Sequence, residues 1–413
     1  MISSTGLPPV LLGPPVELHP GVHGSLVTNP PPGVTYLVGS ATHLYGHKHI
    51  ARWSPFHHPA IDEAVQLQTP QRGAYLVHTS RVPAYGRVPW LADADCLLVT
   101  LLWGRDLVFG FGENAENAMD TEQSKARQHN LLKRYLHCSC HGVAFHTDYS
   151  RKTAISYIAE SGVTEDTEAF AAKTLVVPPA VSPAGPIEPL MRRFTILYMG
   201  RHGAPKGSDV AAEVFRTLAL KYHEKIRLLW IGEPPKDSLP PSVEICEPFQ
   251  RSDYLQILDY IDVFFSPTVS ESLGMGLIEA GAHGAAVVTT RGPGMEHIGE
   301  LFADGRDAIL IDLDLSANER VRQFVGAIEL LIENPLIARQ LGDRAKEMAA
   351  ERLAQRDQLL LDRYQAMAEA PVGRPVPLAG EAFTTIDGNM LESYYQRQLS
   401  GRSRNIYVKA SRL

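Results

Sequence analysis

Glu271 and Glu279 stand eight residues apart in the stretch SPTVSESLGMGLIEAGAHGAAVVTTRGPGM, Ser266 to Met295. The first carboxylate falls in a polar segment, Ser270 to Gly276, with glycines, no strand alternation and little helix propensity. The second falls in a helix expected from Met275 to His283, closed by Gly284, a residue type suited to a left-handed cap. Free backbone N–H groups at the start of a helix attract anions, and Gly274 and Gly276 let a ligand approach the chain closely. Anion-binding amides between two accepting carboxylates suit a ligand with phosphate in its middle and hydroxyls at both ends. A nucleotide-sugar has that build. A surface helix after a glycine loop, with two solvated glutamates, is the alternative on these residues alone.

The stretch needs strands on both sides to hold it. Val263 to Ser266 delivers the chain to the loop, Ala285 to Thr290 is a short apolar run suited to a buried parallel strand, and Arg291-Gly-Pro-Gly294 turns the chain after it. Upstream, Phe194 to Met199 (FTILYM) reads as a strand that runs into GRHGAPKG. Two cations of that turn, Arg201 and Lys206, are candidates to reach a diphosphate held near the Glu271 loop; on a solvated surface they would be unremarkable. A helix follows, with Val210, Val214, Phe215 and Leu218 at helical spacing. Ile226 to Gly232 is the next strand and Arg251 to Tyr260 a helix. Strands and helices alternating at this size predict a parallel sheet covered on both faces.

The Glu271 stretch resembles the Glu-x7-Glu signature of retaining GT-B glycosyltransferases, in particular glycosyltransferase family 4. Pro267, Glu271, Gly274, Leu277, Glu279, Ala280, Gly284, Val287 and Val288 fall where that signature has its loop, acids, glycines and buried Val-Val strand. The likeness is strong over about 190–368 and weak over the N-terminal half. It implies an α/β fold of the GT-B class, two Rossmann-like domains with parallel sheets facing across a cleft. It also implies transfer of a sugar from a UDP- or GDP-linked donor to a hydroxyl acceptor, forming an α-glycosidic bond without a metal or other cofactor. In the family, the Arg and Lys of the turn bind the diphosphate, which assigns that role, and a catalytic one, to Arg201 and Lys206. Glu271 would face the sugar ring, as a catalytic residue, and Glu279 the ribose hydroxyls. Gly200, Gly232 and the segment Ser272, Leu273, Gly274, Met275, Gly276 and Leu277 would complete the donor site, with Phe249-Gln250-Arg251 as base neighbours.

The N-terminal half follows the family less closely. Residues 1–33, rich in proline and glycine, read as irregular; Val34 to Ser40, Gly73 to Thr79 and Cys96 to Leu102 read as strands, and Glu113 to His137 as a long polar helix. Family 4 enzymes often carry His-x-His and Thr-x-His-Gly here, whereas this chain has VHTS at Val77 to Ser80 and TLLWG at Thr100 to Gly104. His43, His47 and His78 are the acceptor-side candidates, with a core histidine an equally good account of His78. HCSCH, His137 to His141, lacks the two-residue spacer and second knuckle of a zinc site, so two small buried cysteines ahead of a strand, Gly142 to Thr147, are expected. A helix then starts near Thr147 or Ser150, and KTLVVPPAV resembles the family's exit from its first domain, with Pro179 and Ala180 in place of Asn-Gly. The domains drawn from this are 1–183, a linker 184–191, a donor domain 192–368 and a linker with basic tail 369–413.

The composition sets outer bounds. With 413 residues, 44% hydrophobic, the chain is long enough for two or three cores. A net charge of −7 argues against nucleic acid as the main partner. Without a long apolar run or a leader, and with four cysteines, a cytoplasmic location is expected. The last twenty residues are basic without an acid, which suggests either a solvated tail or peripheral contact with an anionic membrane. The expected partners are a nucleotide-diphosphate-sugar and an acceptor that is a glycan, a lipid-linked sugar, a natural product or a protein. A non-catalytic nucleotide-sugar-binding subunit and a nucleotide-sugar epimerase on the same fold are the competing readings.

Overall fold

The computed structural model of the protein describes residues 6–13, 18–19, 21–39, 76–80, 89–94, 132–160, 167–185, 192–200, 203–232, 234–235, 239–246, 251–370 and 383–385. Arg201, His43 and His47 lie outside them, as do Phe249, Gln250, the strand expected at Cys96 to Leu102 and most of the helix expected at Glu113 to His137. Contacts divide the chain into two compact units. Unit 1 takes Met1–Pro178 and Ala354–Leu413, and unit 2 takes Pro179–Leu353. The second domain drawn from the sequence ran through 368, so the end of that segment is grouped with the first unit instead.

Unit 1 begins with β1 (Val10–Gly13), α1 (Val22–Thr28), β2 (Tyr36–Gly39), β3 (Leu76–Ser80) and β4 (Trp90–Ala94). β5 (Cys140–Phe145), α2 (Asp148–Glu160), α3 (Thr167–Lys173) and β6 (Thr174–Val176) follow. Unit 2 holds β7 (Phe194–Met199), α4 (Ser208–Tyr222), β8 (Ile226–Ile231), β9 (Val243–Cys246), α5 (Arg251–Leu258) and β10 (Val263–Ser266). It continues with α6 (Met275–Ala282), β11 (Ala286–Arg291), α7 (Glu296–Leu301), β12 (Ala308–Asp312) and α8 (Ala317–Glu333). A long helix, α9 (Pro335–Glu369), carries the chain across the boundary between the units, and β13 (Phe383–Thr385) follows it.

Each unit is an α/β layer of the Rossmann kind, as the GT-B expectation requires. In unit 1 the strand order is β13-β2-β1-β3-β4-β5-β6, all parallel but for β13, which runs antiparallel to β2. In unit 2 it is β12-β11-β10-β7-β8-β9, parallel throughout. Strands buried on both faces explain the near-continuous apolar runs. Ile196, Tyr198 and Phe265 face one core with Val214, Phe215 and Leu218 of α4, while Leu197 and Phe264 face the other with Leu277 and Ile278 of α6.

Three expectations are corrected. Residues 1–33 are not irregular throughout: VLLG of β1 lies between β2 and β3, and α1 follows it. Flanking Pro8-Pro9 and Pro14-Pro15 hid the strand, since proline is confined to its ends. Between the strands expected at Gly73 to Thr79 and Cys96 to Leu102, where no strand was expected, WLADA forms β4, buried at every position. Cys140 is buried as expected but Cys138 is exposed. The edge strands β9 and β12 and the short helix α7 were not anticipated. Among the described residues no helix is long and apolar enough to cross a membrane.

The core of unit 1 includes a polar chain. Asp93 of β4 receives His78 Nε2 at 2.8 Å on one oxygen and faces His23 Nε2 at 3.2 Å with the other. His78 Nδ1 lies 2.6 Å from the Tyr364 hydroxyl, which in turn lies 3.0 Å from that of Tyr36. An ionised carboxylate only accepts, so Nε2 of His78 carries a proton. His78, 1% exposed, is thus a core histidine tied to α9. The second of the two accounts open from sequence describes it.

Candidate functional site

Unit 2 winds outward from β7 to β8 and β9, then returns to the other side of β7 with β10. The loops after β7 and β10 therefore leave the sheet in opposite directions at its switch point, where α/β sheets leave a crevice for ligands. Lys206 sits on the first of these loops and Glu271 on the second, with Lys206 Nζ 2.5 Å from Glu271 Oε2. The ammonium also donates to the Ser270 carbonyl at 3.3 Å, and Ser272 N–H donates to the other Glu271 oxygen at 3.1 Å. Burial works against ionisation of Glu271, but the Lys206 ammonium and the Gly274 amide more than offset it, so the carboxyl is held below its usual range. His297 of α7, buried, adds its field to that site; burial pushes the imidazole below its own ordinary value.

Backbone contacts lock the two loops together. The Pro205 carbonyl accepts from Val269 N–H at 3.0 Å, Ser270 N–H at 3.2 Å and the Thr268 hydroxyl at 3.1 Å. Such closeness requires glycine at 207, whose φ is +68° and where a Cβ would stand 2.0 Å from the Pro267 carbonyl oxygen. Left-handed backbone alone costs a residue with a Cβ about 1–2 kcal/mol, and here the clash is with rigid backbone as well. Gly207→Ala is therefore expected to lower the unfolding free energy of unit 2 by more than about 2 kcal/mol. Urea unfolding followed by fluorescence of Trp230, buried in unit 2, would measure it. At the ends of β7 and β8, Gly200 and Gly232 press together in the same way, since a Cβ on Gly232 would stand 2.1 Å from the Gly200 oxygen.

The helix start is as the sequence implied. Gly274, at φ +78°, precedes α6 without a side-chain cap, and Leu273 and Leu277 are buried beneath it while Met275 and Gly276 are partly exposed. Gly276 touches its surroundings closely enough that a Cβ would meet Met199 at 2.8 Å. Glu279, further along α6, is 3% exposed and pairs with the Arg251 guanidinium at the start of α5. Both glutamates of the motif thus hold a cation, Lys206 on one and Arg251 on the other. Gly200, Lys206, Gly232 and 271–279 are all part of this one unit, and Arg201 lies outside the described residues.

The Arg251–Glu279 pairing and the influence of His297 on Glu271 do not follow from the sequence. In sequence, Arg251 stands only in a base-neighbour segment, and no pattern in a single chain links a carboxylate to a cation 28 residues away. Among the described residues no group of three or more His, Cys, Asp or Glu is placed to hold a metal ion.

Comparison with known proteins places the second unit among glycosyl transferases. Residues 193–334 match the family of glycosyl transferases group 1. That segment spans β7 to α8 and so contains Lys206, Arg251, Glu271 and Glu279. The chain is 29% identical over 150 residues to alpha-maltose-1-phosphate synthase of Mycolicibacterium smegmatis (strain ATCC 700084 / mc(2)155), an alignment covering 36% of this chain and 34% of that protein. The chain spans about a third of the length of this curated relative. TarM of S. aureus aligns in structure over 70% of this chain and 54% of its own, at 14% identity and a TM-score of 0.49. HepE of Anabaena, solved in complex with UDP, aligns over 70% of this chain and 78% of its own, also at 14% identity and a TM-score of 0.49.

Proposed function

We propose that this chain is a retaining glycosyltransferase that moves a sugar from a UDP- or GDP-linked donor to a hydroxyl acceptor, forming an α-glycosidic bond without a metal. The group 1 match over unit 2 supports the transferase class. The observation that carries the donor reading is the pair of cation-held glutamates beside an uncapped helix start at the switch point of the sheet. In this reading the diphosphate lies against the start of α6, with Arg201 and Lys206 as its cations. Glu271 takes a hydroxyl of the sugar or stabilises charge at the anomeric carbon, and Glu279 takes the ribose hydroxyls.

The chemistry follows from charge. As the sugar–phosphate bond breaks, negative charge grows on the leaving diphosphate and positive charge on the sugar. Lys206 is free to transfer its hydrogen bond from Glu271 to the leaving oxygen, which is where a preorganised cation contributes most. A front-face reaction, in which the donor phosphate takes the acceptor's proton, completes the scheme. A cytoplasmic location belongs to the same proposal and suits the three free cysteines among the described residues, Cys138, Cys140 and Cys246.

The test is thermal stabilisation by a panel of nucleoside diphosphates and their sugars, on the wild type and on Glu279→Ala. At a hundredfold excess over the dissociation constant, binding adds about 2.7 kcal/mol. A rise with one base that is lost in the variant supports the donor site. A folded protein whose midpoint no nucleotide moves would end this reading.

A further inference from the structure

We infer that Arg251 is the positioning residue that makes this site select a ribonucleotide over its deoxy analogues. The inference rests on the donor reading above and deepens it. Arg251 is the first residue of α5, and its guanidinium bonds Oε1 of Glu279 across the gap to α6. Glu279 is 3% exposed, so only a narrow face of its carboxylate is open to water or to a ligand. With Oε1 held by Arg251, Oε2 is the oxygen left to accept from a ligand, and a carboxylate accepts only from groups that carry a proton. A vicinal diol supplies such groups. A 2′,3′-dideoxyribose has none.

The surroundings make the orientation depend on Arg251. Tyr254 lies three residues along α5, on the same face, with its side chain buried and its hydroxyl 3.6 Å from where a Cβ on Gly276 would be. Burial, reinforced by the negative charge of Glu279, pushes that phenol well above its ordinary value, so it stays a neutral hydroxyl. Without the guanidinium, Glu279 has this neighbouring hydroxyl to turn towards, away from the ligand. Packing around Gly276 is close, with Met199 at 2.8 Å and Phe264 at 3.4 Å from a built Cβ, so α6 itself has little freedom to compensate. Arg251 thereby acts through Glu279 on which sugar the site accepts, without touching the reacting atoms.

The experiment is calorimetric titration of the full chain with a nucleoside diphosphate and with its 2′,3′-dideoxy analogue, for wild type, Arg251→Met, Arg251→Gln and Arg251→Lys. Circular dichroism establishes that each variant is folded. The wild type is expected to prefer the ribonucleotide by about tenfold or more, as a buried carboxylate left without a donor demands. Arg251→Met and Arg251→Gln are expected to bring the ratio to within about threefold, chiefly by weakening the ribonucleotide, and Arg251→Lys to restore part of the preference. A purely structural role would weaken both ligands alike and leave the ratio in place; that result, or an unchanged ratio in a folded variant, overturns the inference. A wild type that binds the two ligands equally overturns it as well. A wild type that binds neither ligand refutes instead the donor reading on which the inference stands.

Discussion

Lys206→Met is expected to lower turnover of the donor by about 10²–10³-fold, the loss seen when one preorganised donor to developing negative charge is removed. The geometry gives the reason. Lys206 Nζ sits 2.5 Å from Glu271 Oε2 and its turn is fastened to the 267–271 loop through the Pro205 carbonyl, so the ammonium is already in place before ligand arrives. The substitution keeps the length of the side chain and removes its charge. If the proposed donor placement holds, binding should weaken less than the chemical step, because the α6 amides would still meet the diphosphate and the cation matters most once the leaving group is charged. Slow hydrolysis of the nucleotide-sugar, with water as acceptor, measures kcat and KM without knowledge of the acceptor. A variant within threefold of the wild type would exclude Lys206 from the reaction.

The same variant changes the acid behaviour of unit 2. Glu271 is held below its ordinary value, so its pairing adds stability above about pH 4.3 and that stability is lost as pH falls through the depressed value. Without the ammonium the largest favourable contribution is lost, burial is opposed only by the Gly274 amide and the His297 field, and the advantage of the wild type is confined to the higher pH range.

Fold and site were legible to different depths. FTILYM and VFFS stand out because parallel strands covered on both faces must be apolar throughout, and α6 is announced by Gly274 before it and Gly284 after it. The strand at Trp90–Ala94 was hidden for a physical reason. Asp is depleted in strands, and Asp93 is tolerated there only because two imidazoles meet it from α1 and β3, partners distant in sequence. The helical stretch ending near Ala368 was legible, but that its last turns belong with unit 1 was not, because Leu360, Tyr364 and Met367 pack with Val10, Leu12 and Leu76, distant in sequence. In the candidate site the glutamates and Lys206 could be marked from the loop pattern and the resemblance, but the Arg251 pairing depends on how α5 meets α6.

Asp93→Asn is expected to destabilise unit 1 by roughly 1–3 kcal/mol at neutral pH, the cost of leaving a buried donor without its acceptor. The amide keeps one acceptor oxygen and turns N–H groups towards an imidazole that presents its own proton, so His78 or His23 is left facing a donor. The strain passes along the chain to Tyr364, whose hydroxyl meets both His78 Nδ1 and Tyr36, and so reaches the contact of α9 with the sheet of unit 1. The pH dependence separates this from loss of packing. Burial opposes the charge on Asp93, but His78 foremost, with the bond from His23, holds its carboxyl well below the usual range. Its contribution is therefore complete above about pH 3.9 and declines as pH falls through the depressed value, so variant and wild type should draw together in acid. His23 behaves separately: its Nδ1 accepts the His19 amide at 2.7 Å and burial lowers its affinity for a proton. An unfolded chain takes up that proton below about pH 6.5 while the native one resists, so both proteins lose stability from there downward. Denaturant midpoints of the two proteins between neutral pH and pH 3 test the argument. A gap between them that stays constant over that range would show that Asp93 contributes through shape alone, and the histidine–aspartate chain would then have no part in holding α9.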